Sequence, residues 1–163
     1  MEDLLGGTVI TQGGSEMPLA EALTGIKYVG LYFGAHWAPC CRRFTEQMVE
    51  DYATINANAK ELELVFVSKD GNQAAFDRNF AEMPWKAVKY DDEARKKSLE
   101  QKYGIMEIPT LIIVNAATGA QTSENGQRDI QTHRENVVEQ WDKAGSEAAA
   151  GDGAAAGDGA AAQ

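Results

Sequence analysis

Two stretches constrain this fold more than any other feature: "KYVGLYFGA" at 27–35 and "ELELVFVS" at 61–68. Both are rich in β-branched and aromatic residues. The first is apolar almost without interruption, the pattern of a strand with protein on both faces. Between them Cys41, Phe44, Met48, Tyr52 and Ile55 recur at spacings of three and four, which places them on one stripe of an amphipathic helix. Pro39 suits the first turn of that helix, where its missing N–H sacrifices no hydrogen bond. Strand, helix and second buried strand make a parallel βαβ unit, whose faces further helices must cover.

The rest of the chain supplies that cover. "GTVIT" followed by "SEMPLAEALTG" reads as a short strand or hairpin leading to a turn at Gly25. Asp70 to Asn72 offers turn and cap residues for a helix carrying Phe76 and Phe80, which must end before Pro84. "KAVKY" reads as a short edge strand. Asp91, Asp92 and Glu93 suit the positive start of another helix, Lys96, Lys97 and Lys102 its end, and Gly104 a left-handed C′ position. "TLIIVNAATGAQ" reads as strand, turn and strand, and Ile130, Val137, Val138 and Trp141 fit a final helix. The order implies a layered α/β sandwich whose first half is the parallel βαβ unit. Residues 1–143 form one domain on this reading. Residues 144–163, with two copies of "GDGAAA", lack the apolar surface to offset ordering entropy and are expected to be a disordered tail.

A net charge of −10 repels phosphate backbones and anionic lipid, which argues against nucleic-acid or membrane partners. The first residues, "MEDLLGGTVITQGG", are acidic where a signal peptide is basic, and no apolar run approaches the ~20 residues that span a bilayer. We therefore expect a cytoplasmic protein, with nucleus or cilium as alternatives, and not a secreted one. In such a compartment its two cysteines point to free thiols or catalysis before a structural disulfide. No metal site and no cofactor are expected.

The segment "KYVGLYFGAHWAPCCRRF" resembles the active-site segment of nucleoredoxins and tryparedoxins, a branch of the thioredoxin fold whose usual centre is Trp-Cys-Pro-Pro-Cys-Arg. The resemblance continues in register through "ELELVFVSKD", "FAEMPWKAVKY" and "YGIMEIPTLIIVNAATG", and more loosely to Trp141. It implies an α/β three-layer thioredoxin-like sandwich, a central mixed sheet of about five strands flanked by helices, and it implies roles residue by residue. Trp37 and Pro39 match the family's Trp and first Pro, Cys41 its second, resolving cysteine, and Pro109 the proline that is cis in the family. Ala38 stands where the attacking cysteine belongs, and Cys40 where the second proline belongs. Trp37, Pro39, Ile108 and Pro109 would form a surface that docks an extended peptide. Trp85 would adjoin it, although core packing suits that residue better. The buried carboxylate of simple thioredoxins would fall near Tyr32, so no such base is visible.

Cys40 and Cys41 are poorly placed to pair. Adjacent Cα atoms lie about 3.8 Å apart across a trans peptide, less than the roughly 4.4–6.8 Å of a relaxed disulfide. Cys41, on the apolar stripe, is expected to be a buried thiol of raised pKa. Cys40, on its flank beside Arg42 and Arg43, is either a small space-filling residue or a lone reactive thiol. Arg42 and Arg43 are expected in solvent, as is His36; His133 is assigned nothing.

Three functions follow. The one that fits best is a protein-binding or assembly subunit, with a degraded redox centre and little dithiol turnover, as in a ciliary or cytoskeletal complex. The second is monothiol chemistry at Cys40, resolved by glutathione or another small thiol. The third is dithiol exchange through Cys40 and Cys41. If the chain is an enzyme, it is a protein-disulfide oxidoreductase.

Overall fold

The buried run at 27–35 becomes a strand in the middle of the sheet. The computed structural model describes residues 1–148. Its elements are α1 (Glu2–Leu5), β1 (Thr8–Ile10), β2 (Glu16–Pro18), α2 (Leu19–Ala22), β3 (Tyr28–Gly34), α3 (Pro39–Ile55) and β4 (Leu62–Ser68). Then come α4 (Gln73–Phe80), β5 (Lys86–Ala87), α5 (Glu93–Tyr103), β6 (Thr110–Asn115), β7 (Gln121–Ser123) and α6 (Gly126–His133). A 3-10 turn at Arg134–Asn136 follows, and residues 137–148 are helical, here α7.

The strands form one mixed sheet in the order β2-β1-β5-β4-β3-β6-β7. β3 and β4 pair in parallel from Tyr28↔Leu62 to Gly34↔Ser68, as the βαβ reading requires. β6 runs antiparallel along the other side of β3, from Tyr28↔Asn115 to Phe33↔Thr110. Every residue of β3 and β4 is buried, and the pleat sends alternate side chains to opposite layers. Tyr28, Tyr32, Leu64 and Phe66 join Phe44 and Met48 of α3, Phe76 of α4 and Trp141 of α7 on one side. Val29, Leu31, Phe33, Val65 and Val67 meet Leu5, Leu19 and Leu99 on the other, under α1, α2 and α5. Burying each such side chain contributes about 1.5–3 kcal/mol relative to water, which is why the continuous apolar runs set the architecture. The three-layer α/β sandwich expected from the sequence is present.

The details differ at four places. The sheet has seven strands rather than about five, because the N-terminal hairpin β1–β2 and the short β7 extend it. "KAVKY" is not an edge: β5 lies between β4, parallel through Phe66↔Ala87, and β1, antiparallel through Ile10↔Ala87. Its lysine suggested solvent, but the Lys86 ammonium lies 3.6 Å from Oε2 of Glu63, a fully buried carboxylate that also accepts the Tyr52 hydroxyl at 2.9 Å. Lys96 is likewise buried, its ammonium 3.9 Å above the Tyr90 ring and 2.9 Å from Glu93.

The predicted final helix is the fourth difference. It breaks at Arg134, where φ is 50°. The break re-aims the chain so that Val137, Val138 and Trp141 of α7 are buried, with the Trp141 ring 5.2 Å from Tyr28 and its Nε1 donating to Asp129 at 2.9 Å. α7 runs past the boundary read at 143 and continues through 148. The rest of the stretch expected to be a disordered tail, 149–163, lies outside the described residues. Among the described residues no helix is long and apolar enough to cross a membrane.

Gly30 shows how tightly β3 is held. A Cβ there would collide with the Leu64 side chain and come within 3.1 Å of Leu111 Cδ1. Gly30→Ala is therefore expected to lose about 1–3 kcal/mol through overpacking, read as a lower midpoint in chemical denaturation. An unchanged midpoint would contradict that packing.

Candidate functional site

The chain leaves the sheet at Gly34, turns through Ala35 to Trp37 and enters α3 at Pro39. Ala38 is the N-cap, with φ −91° and ψ 117°, and its methyl group provides no side-chain cap. Its carbonyl accepts the first helical hydrogen bonds, from the N–H of Cys41 at 3.0 Å and of Arg42 at 3.2 Å. Ala38 is buried at 5% exposure, so the position matched to the attacking cysteine is a covered methyl.

The two thiols are free and differ in setting: Cys40 is exposed and Cys41 buried. Cys40 Sγ lies 3.6 Å from the carbonyl oxygen of Ile108, to which its S–H donates. Burial pushes the Cys41 thiol up from the ordinary cysteine value. Beneath Cys41, the Tyr32 hydroxyl donates to the Cys41 carbonyl at 3.3 Å and lies 3.0 Å from the Thr45 hydroxyl. Burial also holds the Tyr32 phenol well above its ordinary value. A neutral hydroxyl thus lies beneath Cys41.

The second wall of the site is the loop before β6. Its Ile108–Pro109 peptide bond is cis, as the resemblance implies, and both residues are half-buried. Among the described residues, Trp37 at 65% exposure and Met106 at 93% are the large apolar side chains left in solvent. From Cys40 a groove of about 510 Å³ runs between α3 and α6, lined by Arg43, Phe44, Gln47, Ile108, Pro109 and Gln131 among others. The structure thus brings Cys40, Ile108 and Pro109 into one groove, leaves Trp37 and Pro39 exposed at the adjoining helix start, and buries Ala38 and Cys41.

Trp85 does not belong to that face. It is fully buried, its ring 6.4 Å from Tyr32 and 5.6 Å from Tyr52, as the core-packing reading expects. Arg42 and Arg43 are exposed, and the Arg42 guanidinium donates to the His36 carbonyl. Among the described residues no group of three His, Cys, Asp or Glu is placed to hold a metal ion.

One residue of the site escaped the sequence reading. Asp70 is not a cap; the cap of α4 is Asn72, whose side chain accepts from Ala75 N. Asp70 is buried at 6% exposure. Its Oδ1 accepts the backbone N–H of His36 at 2.8 Å, and its Oδ2 accepts the Ser68 hydroxyl at 2.7 Å and the Asn79 amide at 3.2 Å. The signal that could have found it is its place: an acid just past the C-terminal end of the strand paired in parallel with β3, where site residues of α/β folds gather.

Iodoacetamide at neutral pH is expected to label Cys40 before Cys41, with Cys41 following on unfolding or above the ordinary thiol range; mass mapping of both peptides reads the order. Labelling of Cys41 in step with Cys40 would contradict its burial. Because the folded pKa of Cys41 is raised, its contribution to stability is complete below the unfolded thiol pKa of about 8.5 and is lost as pH rises through the folded value. A Cys41→Ala variant is therefore expected to show a shallower alkaline loss of stability than the unsubstituted chain.

Comparisons with known proteins agree with this fold. A family model described as thioredoxin-like matches residues 25–119. The chain is similar to nucleoredoxin of Mus musculus, 42% identical over 113 residues, which are 69% of this chain and 26% of that protein. It thus spans about a quarter of the nucleoredoxin length. Tryparedoxin of Trypanosoma brucei brucei is 39% identical over 117 residues, 72% of this chain and 79% of that protein. Among solved structures, tryparedoxin from Trypanosoma brucei gives a TM-score of 0.76 at 31% identity, covering 85% of this chain and 95% of that one. Tryparedoxin II complexed with glutathionylspermidine gives 0.72 at 28% identity, covering 80% and 88%.

Proposed function

This chain belongs to the thioredoxin-like family, with nucleoredoxins and tryparedoxins among its relatives, and on that footing we propose that it is a protein-binding or assembly subunit with little dithiol–disulfide turnover. The observation that carries the reading is the buried methyl of Ala38 at the N-cap of α3, beneath a face that keeps the exposed Trp37 and the Ile108–Pro109 loop. Dithiol exchange requires a thiolate that attacks the target disulfide and a second that resolves the mixed disulfide. The helix start lacks the first, and the second, Cys41, is buried with a raised pKa. Cys40 adjoins Cys41 in the first turn of a helix, where adjacent residues lie too close for a relaxed disulfide. What persists is the apolar, preformed surface suited to an extended segment of a partner protein. Two free thiols and an acidic chain suit a reducing compartment such as the cytoplasm.

One observation favours a second reading, monothiol chemistry at Cys40. That thiol is exposed in the first turn of α3, at the end of a groove of about 510 Å³. The Cys40 thiolate would attack a target disulfide, forming a mixed disulfide and releasing one target thiolate. An external thiol of the glutathione type would then attack that mixed disulfide, returning Cys40 as thiolate and leaving with the target sulfur. A tryparedoxin II has been solved with glutathionylspermidine, a thiol of that class.

Dithiothreitol-dependent insulin reduction separates the readings. The unsubstituted chain is expected to stay near the uncatalysed background, and Ala38→Cys to gain turnover if the rest of the site is intact. Turnover of the unsubstituted chain at the rate of an ordinary thioredoxin would overturn the binding reading. Turnover that needs glutathione and disappears in Cys40→Ser would establish the monothiol one.

A further inference from the structure

The loop between β3 and α3 contains an unusual combination, an exposed indole on a backbone held by a buried carboxylate. Trp37 is 65% exposed, so its own packing does not fix it. Its constraints come from the segment after β4. Lys69 N donates to the Gly34 carbonyl at 2.9 Å, the Lys69 carbonyl accepts Trp37 Nε1 at 3.3 Å, and Asp70 Oδ1 accepts His36 N at 2.8 Å.

Asp70 is itself held from several directions. Its N–H donates to Ser68 Oγ at 2.9 Å, and its carbonyl accepts the Tyr90 hydroxyl at 2.6 Å. Tyr90 is gripped in turn, its ring 5.4 Å from Phe76 and 3.9 Å from the Lys96 ammonium. A carboxylate at 6% exposure is retained against its desolvation only when donors satisfy it, and here Ser68, Asn79 and the His36 amide do so. Of these donors, the His36 N–H belongs to the β3–α3 loop, and the other two to β4 and α4. The carboxylate therefore ties the β3–α3 loop to β4 and α4.

We propose that Asp70 is a positioning residue, its buried carboxylate holding the His36 amide so that Trp37 stands in one orientation on the docking face. This rests on the reading of that face as a protein-binding surface, but its test does not involve a partner. A pre-ordered aromatic anchor loses less freedom on binding than a mobile one. Asp70 touches no partner; it acts through His36 and Trp37.

Trp37 is the exposed one of the three tryptophans, Trp85 and Trp141 being buried, so acrylamide quenching reports on it selectively, and a fast component in the anisotropy decay marks its local motion. In the full chain, Asp70→Ala is expected to increase acrylamide quenching of Trp37 and to add a fast component to the tryptophan anisotropy decay, with far-ultraviolet circular dichroism unchanged. Asp70→Asn is expected to rescue both signals, since its Oδ1 still accepts from His36 and a flipped Asn79 amide can face its NH2. A folded Asp70→Ala with an unchanged Trp37 signal would overturn the proposal. So would an Asp70→Asn as disturbed as Asp70→Ala, because the role would then be charge and not position. If Asp70→Ala fails to fold, hydrogen exchange in the unsubstituted chain decides: protection of the His36 amide by about tenfold or more supports the proposal, and unprotected exchange overturns it. Insulin turnover by the unsubstituted chain would remove the binding reading and leave these outcomes intact.

Discussion

The pairing of β3 with β4 on one side and β6 on the other is the constraint on which the rest depends. A parallel neighbour ends at the same edge of the sheet as β3, so the loop after β4 must lie beside the loop after β3. An antiparallel neighbour begins at that edge, so the loop before β6 arrives there too. Gly34↔Ser68 and Phe33↔Thr110 are the last paired positions in each ladder. The contacts of the site follow directly: Asp70 reaches His36 across one pair, and Cys40 reaches the Ile108 carbonyl across the other. Neither contact is set by sequence neighbours. Both are consequences of strand direction and register, which buried apolar surface fixes because a one-residue slip would turn every side chain to the opposite layer.

On this frame the chemistry is decided by position along the first turn of α3. The N-cap, Ala38, is covered, and Cys41, three residues on, is packed against the sheet. Only Cys40, between them, reaches solvent as a thiol. The two sulfurs of the helix start are free and sit on adjacent residues, too close for a relaxed disulfide. In the turn before that helix, Trp37 Nε1 donates to the Lys69 carbonyl and the His36 amide to the Asp70 carboxylate.

Much of this was legible in the sequence because it was local or strongly periodic. The apolar stripe of α3 predicted the burial of Cys41, Phe44, Met48, Tyr52 and Ile55, and all five are buried. The continuous apolar runs predicted the central strands; the cis bond at Pro109 came only from the family resemblance. What escaped notice depended on tertiary contacts. Asp70 has the composition of a turn residue, and only the fold reveals donors from His36, Ser68 and Asn79 around it. The charges of Lys86 and Lys96 look like surface, but a buried Glu63 and the Tyr90 ring receive them. Arg134 breaks the C-terminal helix at a positive φ that no glycine or proline announces.

The central claim is that this site has no working two-electron thiol couple. It is tested most directly by equilibrating the chain in dithiothreitol buffers of graded potential and measuring, by intact mass, the loss of two hydrogens that marks an internal disulfide. The expected result is that Cys40 and Cys41 remain free thiols across the range that oxidises a thioredoxin, near about −270 mV. A reversible internal disulfide with a midpoint in that range would contradict it.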